Sequence, residues 1–129
     1  MNGWGFLAVG SGAALGAWSR WALGVFLNPL LVGLPLGTLV ANLLGGYLVG
    51  VAVGVFHLNS GLPPALKLFL ITGFLGGLTT FSTFSAEVVE RFLAQQYSWT
   101  LAVLLIHLLG SLGMTLLGLW TVGAHRLWG

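Results

Sequence analysis

The run Gly73-Phe74-Leu75-Gly76-Gly77-Leu78-Thr79-Thr80-Phe81-Ser82-Thr83-Phe84-Ser85-Ala86-Glu87 gathers most of the chemically versatile side chains of this sequence. It lies within a long apolar stretch. Gly76 and Gly77 weaken a helix, and Thr79, Thr80, Ser82 and Thr83 can divert hydrogen bonds to nearby backbone. A helical interruption is expected near residues 76–80. In a bilayer, broken backbone is tolerated only where protein, water or an ion satisfies the freed groups. Released carbonyls are hard oxygen ligands suited to a small alkali cation. A glycine kink with threonine back-bonding and no ion accounts for the same residues, and both readings stay open. Phe81 and Phe84 share one helical face after the break. Their rings alternate with hydroxyl side chains, and the positive ring edges suit an anion that has shed part of its water. Core packing is the plainer use of such a pair.

Asn42 stands amid Leu39, Val40, Ala41, Leu43 and Leu44. Its amide carries two N–H donors and an acceptor, which are costly to leave unpaired in hydrocarbon. It is expected to face protein or a polar path, either as an inter-helix bond or as an anion donor. His107, Ser111 and Thr115 recur at four-residue spacing and make a polar stripe along one helical face. A transport track and a hydrogen-bonded seam both fit it, with His107 the less regular member. Arg20 suits a headgroup contact or an anion entry. Glu87 and Arg91 are placed for an i, i+4 pair, as at a solvated helix end, or Glu87 lines a vestibule. Lys67 reads as an interfacial anchor. No nucleophile–base set, phosphate-binding Gly-Lys loop or metal cluster is evident, so enzyme chemistry is not expected.

The elements that must hold these residues follow from composition. The chain has 129 residues, 57% hydrophobic and 5% charged, with four Lys or Arg against two acidic residues. Mean hydropathy is +1.02. A small soluble domain needs a larger polar surface than this, so an integral membrane protein is the expected class. A bilayer-spanning helix needs about 20 mostly apolar residues. The charge-free intervals accommodate four, over approximately 3–26, 35–57, 65–94 and 99–122, in a single domain covering 1–129. Short, Pro- and Gly-containing joints make consecutive helices antiparallel neighbours. Arg20 follows the first apolar stretch rather than preceding it, which argues against a cleavable leader. Cysteine is absent, excluding disulfides and thiolate metal sites. A net charge of +2 provides no patch for nucleic acid.

Glycine is abundant, 21 residues, at small-residue spacings such as Gly12 with Gly16, Gly37 with Ala41 and Gly45, and Gly46 with Gly50 and Gly54. In lipid such positions let helix backbones approach closely. Lys67 and Arg126 fall at one face of the four-helix scheme, and Arg20 and Arg91 at the other. That tie leaves no positive-inside bias, so insertion in both directions and an antiparallel homodimer stay open. Four helices alone leave little room for an aqueous route; eight would provide it.

Taken together, these residues resemble the Fluc, or CrcB, family of fluoride channels. The run Gly76-Gly77-Leu78-Thr79-Thr80-Phe81-Ser82-Thr83-Phe84-Ser85 carries the resemblance, with Gly37-Thr38-Leu39-Val40-Ala41-Asn42, Arg20-Trp21 and the His107 to Ser111 segment. The resemblance implies an all-α membrane protein of four transmembrane helices, broken in the third and assembled as an antiparallel, dual-topology homodimer. It implies passive export of fluoride across the cell membrane, the inner membrane in a Gram-negative cell. It further implies a central structural Na+ held by the Gly76 and Thr79 carbonyls of both copies. Phe81, Phe84, Asn42, Thr83, Ser111, Thr115 and His107 are then the expected pore-lining residues, and Arg20 and Glu87 the vestibule. A small dual-topology multidrug transporter is the chief alternative, weakened because no carboxylate lies in an early helix. A nontransporting membrane assembly protein explains the glycines but not the combination of Asn42, the break and the phenylalanines.

Overall fold

The computed structural model describes residues 1–128. Helix α1 covers Gly3–Leu27 and begins where the Asn2 side chain accepts from the Gly5 N–H at 2.7 Å. A 3-10 turn at Asn28–Leu30 reverses the chain. Asn28 then reaches forward: its Oδ1 accepts from the N–H groups of Gly37 (2.7 Å) and Thr38 (3.3 Å). Those are orphan donors of the first turn of α2, Leu36–Leu58, so one side chain ties the turn to the helix that follows. Pro63 and Pro64 open the third segment, since proline lacks an N–H that the first helical turn would leave unbonded anyway.

That segment is two helices. The first limb, α3, covers residues 64–78 and is π-wound through Leu68–Leu75 before a short α turn at Gly76–Leu78. Thr79 and Thr80 are extended, and α4 resumes over Phe81–Leu93. Gln95, with φ of 59°, makes the tight reversal into α5, Tyr97–Thr121. A final 3-10 turn covers Ala124–Leu127. The interruption was legible in the sequence; the π-wound turns before it were not.

Glycines set how the helices meet. A Cβ on Gly12 or Gly16 would strike the backbone oxygens of Phe69 and Phe74, so α1 lies backbone to backbone against α3. Gly50 likewise abuts the Thr115 carbonyl, and Gly118 that of Tyr47, which seats α2 on α5. α4 rests against α5. The buried apolar interior is small and divided. Leu34, Leu39, Phe84 and Val103 form one cluster, and Ala41, Leu75 and Leu78 another.

The large hydrophobic residues face outward instead, Trp18, Phe26, Leu109 and Leu116 among them. In water that distribution would be untenable; in hydrocarbon it costs nothing. Three helical units are long and apolar enough to cross a membrane: Leu36–Leu58, the bent Pro64–Leu93 and Tyr97–Thr121. With 25 residues, α1 matches them in length, but Arg20, its serines, glycines and tryptophans dilute its apolar character. The chain is a multi-pass, all-helical membrane protein.

Candidate functional site

Every unusual feature converges on the break between α3 and α4. The Thr79 hydroxyl donates back to the Leu75 carbonyl at 2.8 Å, and the Thr79 N–H reaches the same oxygen at 3.0 Å. The α turn ends here, and Thr79 takes an extended conformation. In a continuous helix the Thr80 N–H would close on the Gly76 carbonyl; here it donates to Asn42 Oδ1 at 2.8 Å. The Thr83 N–H would close on the Thr79 carbonyl; it donates instead to Thr80 Oγ1 at 3.0 Å, making Thr80 the N-cap of α4. The Gly76 and Thr79 carbonyls thus lose their usual helical donors.

Side chains from two other helices hold the break. Asn42 of α2 both accepts from the Thr80 N–H and donates through Nδ2 to the Thr80 carbonyl at 3.0 Å. Arg20 of α1 donates through Nε to the Gly77 carbonyl at 3.1 Å, placing a cation at the negative end of α3. A third bond leaves Asn42, to His107 Nδ1 at 3.1 Å. His107 is buried and stacks on Phe84, centroids 4.7 Å apart with 26° between planes. Phe84 in turn meets Phe81 edge-on at 5.5 Å. Phe84 is only 5% exposed, whereas Phe81 is 74% exposed and projects from the chain.

Two cavities flank this arrangement. One, about 420 Å³, opens on the outer face and is lined by Asn42, Gly76, Thr79, Phe81, His107 and Ser111, among others. The other, about 300 Å³, is lined by Arg20, Trp21, Asn28, Thr38 and Thr83, among others. Thr80 borders both. Of the residues singled out from sequence, Asn42, Phe81, Phe84, His107, Ser111, Gly76 and Thr79 share the first cavity, and Arg20 and Thr83 the second. Thr115 borders neither: its hydroxyl donates to the carbonyls of Gly46 (2.9 Å) and Ser111 (3.0 Å), fastening α5 to α2.

Glu87 requires a correction. The spacing suggested an ion pair with Arg91 at a solvated helix end, but Glu87 is buried and accepts a 2.6 Å bond from the Thr38 hydroxyl. Arg91 turns away to donate to the Gly33 carbonyl at 3.1 Å. Glu87 Oε2 has no partner among the described residues. Thr38, Thr80 and Asn28 were missed as site residues. Apart from the local cap that Thr80 makes, their roles need partners 9 to 49 positions distant, and no local spacing signals those.

The break thus lies between one cavity bordered by the Phe81 and Phe84 rings and another bordered by Arg20 and threonines. The family model described as CrcB-like protein, Camphor Resistance (CrcB), matches residues 7–119, and the chain belongs to that family. A "Fluoride-specific ion channel FluC" of Dechloromonas aromatica is 68% identical over 123 residues, 95% of this chain and 91% of that protein. Proteins of the same description from Nitrosospira multiformis (64% over 115 residues; 89% of this chain, 90% of the relative) and Ralstonia pickettii (62% over 122; 95% and 97%) are similar along nearly their whole lengths.

Proposed function

We propose that this chain is a passive, fluoride-selective channel that works as an antiparallel pair of copies and carries fluoride out of the cell. The observation that carries the reading is the near-full-length similarity to proteins named fluoride-specific ion channels, 68% identical in the first case. The site's chemistry agrees with it. Arg20 and the Thr83 hydroxyl give the second cavity a positive, hydrogen-bonding mouth where a small anion begins to lose water. Past Thr80, the exposed Phe81 ring and the Ser111 hydroxyl replace that water with ring edges and an O–H donor. Binding at each step must stay weak enough to release the ion. Two copies set face to face would cover the open groove and the projecting Phe81, which a lone chain leaves exposed.

The freed Gly76 and Thr79 carbonyls suit a small alkali cation: both are neutral hard oxygens, both border the groove, and neither retains its helical donor. We assign them to a structural Na+ held between the copies. Bound there, it would supply positive charge in a low-dielectric interior, which favours a nearby anion. No nucleotide is needed, because an inside-negative potential drives an anion outward by about 2.3 kcal/mol per 100 mV.

The test is anion efflux from liposomes holding the purified protein, followed with fluoride- and chloride-selective electrodes under a K+ diffusion potential. Fluoride is expected to leave far faster than chloride, without ATP or a proton gradient. Equal rates overturn the selectivity.

A further inference from the structure

Resting on the channel reading, we propose that Asn42 is a positioning residue. It fixes the proton of His107 on Nε2 and the plane of the His107–Phe84 stack, taking its own bearing from the broken backbone at Thr80.

The Asn42 amide cannot be turned over. Its two partners at Thr80 are a backbone N–H and a backbone carbonyl, at 2.8 Å and 3.0 Å, and these groups cannot exchange roles. Oδ1 must face the N–H and Nδ2 the carbonyl. The second N–H of Nδ2 is then the group that faces His107 Nδ1 at 3.1 Å. Nδ1 must accept, because a proton there would set two N–H groups against each other. A neutral His107 therefore carries its proton at Nε2. That nitrogen is buried and has no partner among the described residues. The ring is held on its other side by Phe84.

All hydrogen-bonding capacity of Asn42 toward N–H donation is thereby used within the chain. In this arrangement it offers the cavity no free N–H. Its influence on an anion runs through the neighbours it orients: the His107 ring, the Phe84 ring stacked on it, and the Thr80 turn that separates the two cavities. The geometry of the break and the aromatic lining are thus set by one side chain.

The experiment is solid-state NMR on the full chain in bilayers, with 15N-labelled histidine. The His57→Gln and His125→Gln changes, both at exposed positions, leave His107 as the one labelled ring. Near neutral pH the expected spectrum shows protonated Nε2 and unprotonated Nδ1 in a single population. A protonated Nδ1, or two comparable tautomers, overturns the proposal. In the same protein Asn42→Ala is expected to mix the tautomers and lower fluoride flux by about tenfold, the usual scale for one well-made buried hydrogen bond. In a His107→Phe background the same change is expected to cost much less, because residues acting as a unit are not additive. Fully multiplicative losses overturn the route through His107. If Asn42→Ala fails to assemble, the tautomer of the chain with Asn42 intact decides the matter. A single Nε2–H tautomer in a protein that passes chloride as fast as fluoride retires the channel reading and leaves the positioning role standing. The converse pair of results does the opposite.

Discussion

Single residues here work by removing the alternatives open to a neighbour's backbone. The Thr79 hydroxyl and amide both close on the Leu75 oxygen at the end of α3, Asn42 takes the Thr80 N–H that would continue the helix, and Thr80 starts α4 by capping it. Glu87 is the least expected case. A carboxylate in a hydrophobic chain was expected at a wet helix end, yet it lies buried with Thr38 donating to Oε1. Replacing Thr38 by Val removes the donor but little volume, so the carboxylate oxygen is left without its bond. The expected cost is about 1–3 kcal/mol, read as a lower midpoint in a thermal unfolding scan in detergent, with Thr38→Ser close to the parent. An unchanged midpoint for the valine variant would show that the bond contributes nothing net.

At the scale of helices, contact is made backbone to backbone, which makes glycine the determining residue. A side chain at Gly12 would meet the Phe69 carbonyl and the Phe74 amide, neither of which can swing aside as a side chain would. Gly10, two residues earlier, has nothing near it. Gly12→Val is therefore expected to separate α1 from α3 and abolish a sharp size-exclusion peak, while Gly10→Ala elutes as the parent does. The same separation would withdraw Arg20 from Gly77, so any residual Gly12→Val protein should also lose fluoride flux. A well-behaved, fully active Gly12→Val protein would contradict the close α1–α3 contact.

For the whole molecule, the open groove and the projecting Phe81 are what the proposed second copy would cover. If the copies insert in both orientations, as the proposed antiparallel pair requires, a unique cysteine placed after the last helix should react with a membrane-impermeant thiol reagent in about half of the molecules from either side of the membrane. Labelling from one side alone would end the dual-insertion model. Assembly around a cation carries a separate expectation. Because a ligand that binds only the folded state stabilises it by mass action, the purified protein should unfold at a higher temperature in Na+ than in a bulky organic cation. Equal midpoints would remove the assignment to Gly76 and Thr79.

Local signals carried much of this fold. Hydropathy and the spacing of six charged residues define the helices. The Gly-Gly-Leu-Thr-Thr run marks the break, because poor helix formers and self-bonding hydroxyls act within a few positions of themselves. The residues proposed for transport stand out by type for the same reason: an amide, two rings and a row of hydroxyls are conspicuous among leucines. What those groups bond to was not legible. Asn42 sits 38 positions from Thr80 and 65 from His107, and Thr38 sits 49 from Glu87. Spacing along a helix says nothing about which distant element will arrive opposite it. Only the close approach of glycine-lined helices brings the amide onto the broken backbone and the threonine onto the carboxylate, so composition marked Asn42 and the broken run while tertiary packing chose their partners and brought in Thr38.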